Sequence, residues 1–326
     1  MRAVAARIAQ SIGLILAVIV LNFILIHIAP GDAATAIAGD QSASDPEVIE
    51  QIREQYGLDR PLPVQLAIYV GNVARGDLGD SIWFNEPVTS LLADRIGPTL
   101  ILSAAALSFA FIIGVAVGTA AARKPDSILS HTVTVLALIG FAMPAFWTGL
   151  LLLILVGVRF EFFPVSGIHD VDFEGNWIES WLDIGQHLIL PALTLGIIYL
   201  AQYSRLSRAS MLEVLESDYV RTARAKGLSE RSVVFKHGLR NGVIPVVTIL
   251  GLQFGAVLSG AILVESVFAW PGLGRLAFDA VTRRDTPVLL GVLLLVSVSV
   301  IVANLLTDLV YRYIDPRIRV SGSTDG

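Results

Sequence analysis

The sequence predicts an all-α, multi-pass membrane protein with six transmembrane helices and a small extracytoplasmic cap between the first two. Three observations carry this. Of 326 residues, 54% are hydrophobic and 16% charged, against about 25% charged in an ordinary soluble domain, and the mean hydropathy is +0.71. Apolar runs near or above the ~18–20 residues needed to cross a bilayer recur along the chain. They fall at 8–28, 99–121, 131–158, 188–202, 245–267 and 287–311. The connections between them alternate in Lys and Arg content, as cytoplasmic and outer loops do.

The first element is the helix within residues 1–28. Arg2 and Arg7 precede an apolar run, and "ATA" at 34–36 resembles a signal cleavage site. The run 8–28 exceeds the ~7–15 residues of a signal-peptide core, so the segment is expected to remain as a span. Residues 29–98 form the cap. Within it, "DPEVIEQIREQYGL" places Asp45 at a helix N-cap and Pro46 at the first helical position, with Val48, Ile49, Ile52 and Tyr56 on one stripe. "PLPVQLAIYVGNVARG" reads as a second short helix ending near Gly71 or Gly76. Residues 99–314 form a five-helix core that includes a cytoplasmic loop at 205–244, and 315–326 form a cytoplasmic tail, expected to be disordered. The fourth span is short and contains Pro191, which neighbouring helices can accommodate.

Orientation follows from the basic residues. One side would hold 15 of the 23 Lys and Arg, including Arg2, Arg7, Arg123, Lys124, the group from Arg205 to Arg240, Arg312, Arg317 and Arg319. That side is cytoplasmic by the positive-inside rule, which places both termini inside. The outer side holds 20 of the 28 acidic residues.

The source of energy is not in the spans. Ion-driven carriers place ionisable groups inside the bilayer, whereas here His27 and Glu265 sit at outer ends and Asp308 near an inner end. Asn22 and Asn304 are the deep polar groups, expected to make interhelical hydrogen bonds. There is no G-x-x-x-x-G-K-[ST] phosphate loop and no HExxH or GxSxG motif, so neither ATP binding by that route nor intramembrane hydrolysis is indicated. There is no cysteine, which removes thiolate metal sites and cysteine nucleophiles. The histidines are scattered at 27, 131, 169, 187 and 237, and His169 with Asp170 and Asp172 reads as a solvated loop, so neither a metal nor a cofactor is expected. Active transport would then draw energy from a partner through a cytoplasmic contact.

The basic stretch "SDYVRTARAKGLSERSVVFKHGLRNGVIP", residues 217–245, is suited to that contact. Ser217 can cap a helix beginning at Asp218, whose carboxylate complements the helix dipole. Gly227 can adopt the left-handed conformation that ends it. Ser229 can cap a second helix from Glu230, with Val233, Val234 and Leu239 on its apolar side. Thr222, Ala223 and Ala225 are small enough for a partner backbone to approach. A membrane-tethered loop of this length cannot present two half-sites to DNA. Binding to anionic lipid explains the charge and leaves the glycine-centred pair of helices unexplained.

At these residues the chain resembles the membrane subunits of ATP-binding-cassette importers. Their loop motif is EAA, three residues, Gly, nine residues, then I-x-L-P. In "RTARAKG" (221–227) and "HGLR" (237–240), Ala223, Gly227 and Leu239 match, whereas Arg221, Thr222, His237 and Arg240 depart from it. "DYVRTARAKGL", "HGLRN" and "IPVVT" are similar to the version in the di- and oligopeptide branch. "HIAPGD" (27–32), "YGLDRPLPVQ" (56–65), "GDLGDS" (76–81) and "VFAWPGLGRL" (267–276) look like that branch's B-type permease.

The resemblance implies half of a heterodimeric channel in the cell inner membrane, completed by a homologous C-type permease. Two cytoplasmic ATPases would dock on the coupling loops and hydrolyse ATP, so this chain would not itself be an enzyme. An extracytoplasmic binding protein would deliver substrate. Lipid is the remaining partner and nucleic acid is not one. Coupling would run through Asp218, Tyr219, Arg221, Thr222, Ala223, Arg224, Ala225, Lys226 and Gly227, within the loop 217–240. Trp270, Pro271, Gly272 and Gly274 would lie near the channel mouth as an outer gate or as a buried Pro-Gly turn. Di- or oligopeptides are the implied cargo, with nickel chelates, glutathione or another peptide-like solute as alternatives. A stand-alone channel or secondary carrier is disfavoured by the bare spans.

Overall fold

The computed structural model describes residues 2–28, 34–35, 45–56, 58–81, 83–160, 163–171 and 173–314. The helices in the first part of the chain are α1 (Arg2–Ile28), α2 (Pro46–Tyr56), α3 (Leu62–Ala74), α4 (Val88–Ala122), α5 (Ile128–Ala142), α6 (Ala145–Leu152) and α7 (Trp177–Leu215). They continue with α8 (Asp218–Ala225), α9 (Glu230–Ser232), α10 (Leu239–Gly242), α11 (Ile244–Gly260), α12 (Ile262–Val267), α13 (Leu273–Arg283) and α14 (Thr286–Ile314). Among the described residues, four segments are long and apolar enough to cross a membrane: Ala9–Ile28, Val88–Ala122, Trp177–Leu215 and Thr286–Leu305. Two bent pairs, α5 with the α6 segment and Glu230–Gly242 with Ile244–Gln253, bring the number to six when each pair is counted as one span.

The third apolar run is therefore broken, where its length suggested one continuous helix. The axis turns by 106° between α5 and α6. Pro144 is the cause: it forces the preceding residue out of the helical region, and Met143 is extended at φ −79°, ψ 132°. The fourth span, α7, differs in the other direction. It starts eleven residues before the apolar run, at a capping box in which Asn176 accepts from the Ile178 and Glu179 amides while Glu179 accepts from the Asn176 amide.

The chain divides into two compact units, residues 1–99 with 271–302 and residues 100–270 with 303–326. In the first, Asp45 caps α2 through the Glu47 amide. Ile49 then packs with Ile26, Leu290 and Tyr69. The C-terminal end of α1 is tied to α3: the His27 ring spans the Phe23 carbonyl at 2.8 Å and Gln65 Oε1 at 2.9 Å. The Gln65 amide is locked in turn by donating to the Leu58 and Arg60 carbonyls. Asn22 makes the interhelical bond its type predicts, donating to the Leu290 carbonyl at 3.1 Å.

A two-residue hairpin, β1 (Asp80–Ser81) paired antiparallel with β2 (Glu86–Pro87), was not anticipated. It is held from outside its own strands. Buried Ser81 donates to Asp285, whose other carboxylate oxygen accepts the Val288 amide at the start of α14. The Arg283 guanidinium lies 4.2 Å over the Trp83 ring.

The second unit is organised on α7. Its core joins Leu102, Leu107, Leu190, Tyr203, Phe268 and Trp270. The sequence "GVAVG" (114–118) on α4 supplies a small-xxx-small contact. A Cβ on Gly114 would lie 2.9 Å from Tyr203 Cβ, and one on Gly118 would lie 2.5 Å from the Ser204 carbonyl oxygen. Arg208 donates to Ser130, Gln253 to Gln202, and Thr307 to the Gly251 carbonyl, so polar side chains pin α5, α11 and α14 within this unit.

Candidate functional site

The segment after α7 is an apolar wedge with a polar outer face. Val220 and Ala223 of α8 point inward and join Ala122, Met211, Leu215, Val233 and Val234 in one cluster. Ala223 is thus a packing residue, and of the three small residues only Thr222 and Ala225 are open to a partner. Asp218, Tyr219, Arg221, Arg224, Lys226 and Gly227 are exposed beside them.

Both ends of α8 are built locally. Ser217 has N-cap geometry, φ −67° and ψ 152°, but its hydroxyl donates backward to the Val214 carbonyl and caps no α8 amide. It closes the C-terminal end of α7 instead, leaving Asp218 to complement the dipole. Gly227 takes the left-handed conformation its position required, at φ 75°. Ser229 caps the next turn by accepting from the Ser232 amide. That second helix is not regular: after three α-helical residues it widens into a π-turn, Val233–Gly238, before α10. Val233, Val234 and Gly238 are buried there, and Gly238 lets the Met211 side chain come close.

Two polar ties fix the angle of α8. The Arg224 guanidinium donates to both Glu230 carboxylate oxygens, at 2.9 and 3.2 Å, and to the Leu215 carbonyl at 3.2 Å. Hydrogen bonding to Arg224 holds the Glu230 carboxyl below its ordinary range and raises Arg224 further. Asn241 donates to the Tyr219 hydroxyl at 2.8 Å. Sequence reading treated Arg224 as part of a docking surface and overlooked the Glu230 partner, although a Glu six residues downstream across a Gly turn is a legible signal. Arg221 makes only an exposed contact with Asp218 at 3.6 Å.

The stretch around Trp270 is largely buried. Trp270 and Phe268 are at most 1% exposed, and the chain turns between them at Ala269, φ 49°. The Phe268 carbonyl accepts from the Gly167 amide at 2.9 Å, and Gly149 leaves room for the Phe268 ring. Pro271 and Gly272 lead into α13, where the Leu273 amide donates to Thr99 at 2.8 Å. Gly272 and Gly274 are both buried. His169 and Asp170 do not stand alone in a solvated loop: they meet Asp183 and His187 near the start of α7. Asp172, Ala36 and the tail 315–326 lie outside the described residues, as do the side chains of Ile52, Tyr56 and Asp308.

Two family models together span most of the chain. Residues 114–320 match the binding-protein-dependent transport system inner membrane component, and residues 1–103 match the N-terminal part of such membrane components. The dipeptide transport system permease protein DppB of Escherichia coli K12 is 45% identical over 92% of this chain and 93% of its own length. The di/tripeptide transport system permease protein DppB of Pseudomonas aeruginosa is 43% identical over 96% and 98%. The glutathione transport system permease protein GsiC of Escherichia coli O6:H1 is 46% identical over 92% and 93%. Among solved structures, the inward-facing MetNI methionine ABC transporter superposes with a TM-score of 0.53 at 18% identity, covering 69% of this chain and 96% of that one, which is a likeness of fold. The chain belongs to the family of binding-protein-dependent transport system inner membrane components.

Proposed function

We propose that this chain is the permease subunit of an ATP-driven importer and forms half of the translocation path for di- or oligopeptides. The observation that carries the reading is the construction of α8: a helix braced on an apolar wedge, clamped by Arg224–Glu230, with Tyr219, Arg221, Thr222, Ala225 and Lys226 left on its outer face. A push on that face moves α8, and through the shared cluster it reaches α7 and the π-turn together. Peptide permeases among the relatives, matched over nearly their full lengths, support the cargo class. The glutathione permease relative, equally similar, supports a second reading in which the cargo is glutathione or another peptide-like solute.

The finer parts of the proposal follow from it. ATP is hydrolysed on two cytoplasmic partner subunits that receive α8. A second, homologous permease completes the path. Asn304, on the last apolar helix, is exposed, and no bond from it across helices is found among the described residues; a polar amide facing hydrocarbon is unfavourable, which supports a partner chain on that face. Both termini are cytoplasmic, the cap 29–98 meets an extracytoplasmic binding protein, and the stretch Trp270, Pro271, Gly272 and Gly274 sets the outer gate by anchoring its wall.

The test is co-purification with the cognate ATPases. Replacing Arg221 and Lys226 together by Glu leaves the wedge untouched and is expected to abolish ATPase association. Retention of the ATPases at wild-type stoichiometry in that variant would remove α8 as the docking element.

A further inference from the structure

We propose that Asp170, Asp183 and His187 form a binding site for one divalent cation of the zinc class, with His169 as the group that orients Asp183. One ligand atom from each of the three residues falls within 4.8 Å of the others. They come from two elements, the connection ahead of α7 and the first turns of α7, so the cation would join the connection to the helix.

The placement of His187 is the main argument. Its side chain is 1% exposed. Nδ1 lies 3.0 Å from the Asp183 carbonyl oxygen and 3.2 Å from Asp183 Oδ1. Both atoms only accept, so Nδ1 carries the hydrogen. That leaves Nε2 as the ligand atom of the ring, and the group it faces is Asp170 Oδ1 at 3.7 Å. That separation is too long for a hydrogen bond. Zinc–nitrogen and zinc–oxygen bonds of about 2.1 Å at a tetrahedral angle hold two ligand atoms roughly 3.4 Å apart. A cation between Nε2 and Oδ1 would therefore be reached by both atoms with a small closing movement.

The surroundings match what a metal site needs outside its ligands. The His187 Nδ1–H bond to a backbone carbonyl fixes the tautomer and the ring plane. Asp183, 7% exposed, accepts from His169 Nδ1 at 2.8 Å and from the Asp170 amide at 3.3 Å through Oδ2. His169 is itself stacked on Phe173. Two carboxylates balance a dication. Asp170, 72% exposed, closes the site from solvent, and an acidic recess lined by Asp170, Glu174 and Glu179 lies beside it as an entrance. No other such group of three His, Cys, Asp or Glu residues is found among the described residues.

The experiment uses the full-length chain, purified in detergent, stripped with a chelator and titrated with Zn²⁺ against a chromophoric competitor. It reads metal binding alone, so it is independent of any transport assay. One equivalent per chain is expected. Asp183→Asn and His187→Gln are each expected to weaken binding at least tenfold. Asp170→Asn changes only an exposed side chain, tests the ligand set in a chain whose core is intact, and is expected to do the same. His169→Gln should weaken Zn²⁺ by about tenfold while leaving one equivalent bound, as an orienting group would. Substituted Co²⁺ should give the strong visible absorption of a four-coordinate nitrogen–oxygen site, lost in His187→Gln. Stoichiometric Zn²⁺ retained at wild-type affinity in Asp170→Asn and His187→Gln, or no binding by the wild-type chain, would overturn the proposal.

Discussion

Gly227→Val isolates the geometry of the α8 segment from its chemistry. Gly227 ends α8 at φ 75°, and a Cβ built there meets nothing within 4 Å. The substitution therefore creates no clash, and its cost is the backbone strain of an L residue in the left-handed region, about 1–2 kcal/mol. Valine stands at the upper end because its branched Cβ is also restricted at χ1. Relief of that strain rotates α8 against the Ser229 turn and stretches the Arg224–Glu230 pair, which as a half-exposed ion pair contributes only about 0.2–1 kcal/mol against it. One to two kcal/mol is roughly a 5- to 30-fold change in the population of the correct arrangement. In vesicles holding the complete importer, uptake is expected to fall by about that factor while membrane insertion and yield are unchanged. Gly227→Asn, which tolerates positive φ, should stay within a few-fold of wild type. Wild-type uptake and wild-type ATPase association in Gly227→Val would refute the reasoning.

Other consequences are as specific. Gly118→Ala places a methyl 2.5 Å from the Ser204 carbonyl, and forcing α4 off α7 should lower thermal stability by about 1–3 kcal/mol, read as an earlier melting transition of the detergent-solubilised chain. Glu230 is held below its ordinary carboxylate range in the folded chain, so the clamp contributes fully above the unfolded-chain value of about 4.3 and is lost as pH falls through the lowered folded value; ATPase association is expected to be flat from pH 6 to 8, and Glu230→Gln should remove any weakening on acidification. Cysteines placed at Ser42 and Ser323 test sidedness: a membrane-impermeant thiol reagent added outside should label the first and leave the second untouched.

The sequence made the membrane class, the cap helices and the two-helix basic segment legible because each rests on a short-range signal. Apolar run length sets spans, Asp45–Pro46 starts α2, and Gly227 and Ser229 punctuate the loop. Two of the shifts in span boundaries are also local in origin. Pro144 breaks the third run and the Asn176–Glu179 capping box lengthens α7, and in both cases the start and stop residues override apolar run length. What could not be read was pairing at long range. Ala223 faces inward because of where Met211 and Val233 stand, and Ser217 turns its hydroxyl backward because the Val214 carbonyl is free to accept it. The hairpin at Ser81 depends on Asp285, 204 residues away. His169 looked like solvated loop because its partners, Asp183 and His187, belong to a helix that the apolar run placed later than its true start.

The central claim is that this chain conducts only as part of an ATP-driven assembly. The direct measurement is substrate accumulation in vesicles reconstituted with this permease, its partner permease, the ATPases and the binding protein, with each component omitted in turn. Uptake of di- or oligopeptides is expected only when all are present and ATP is supplied on the side of Arg221 and Lys226. Accumulation by this chain alone, driven by a proton or sodium gradient without ATP, would contradict the account.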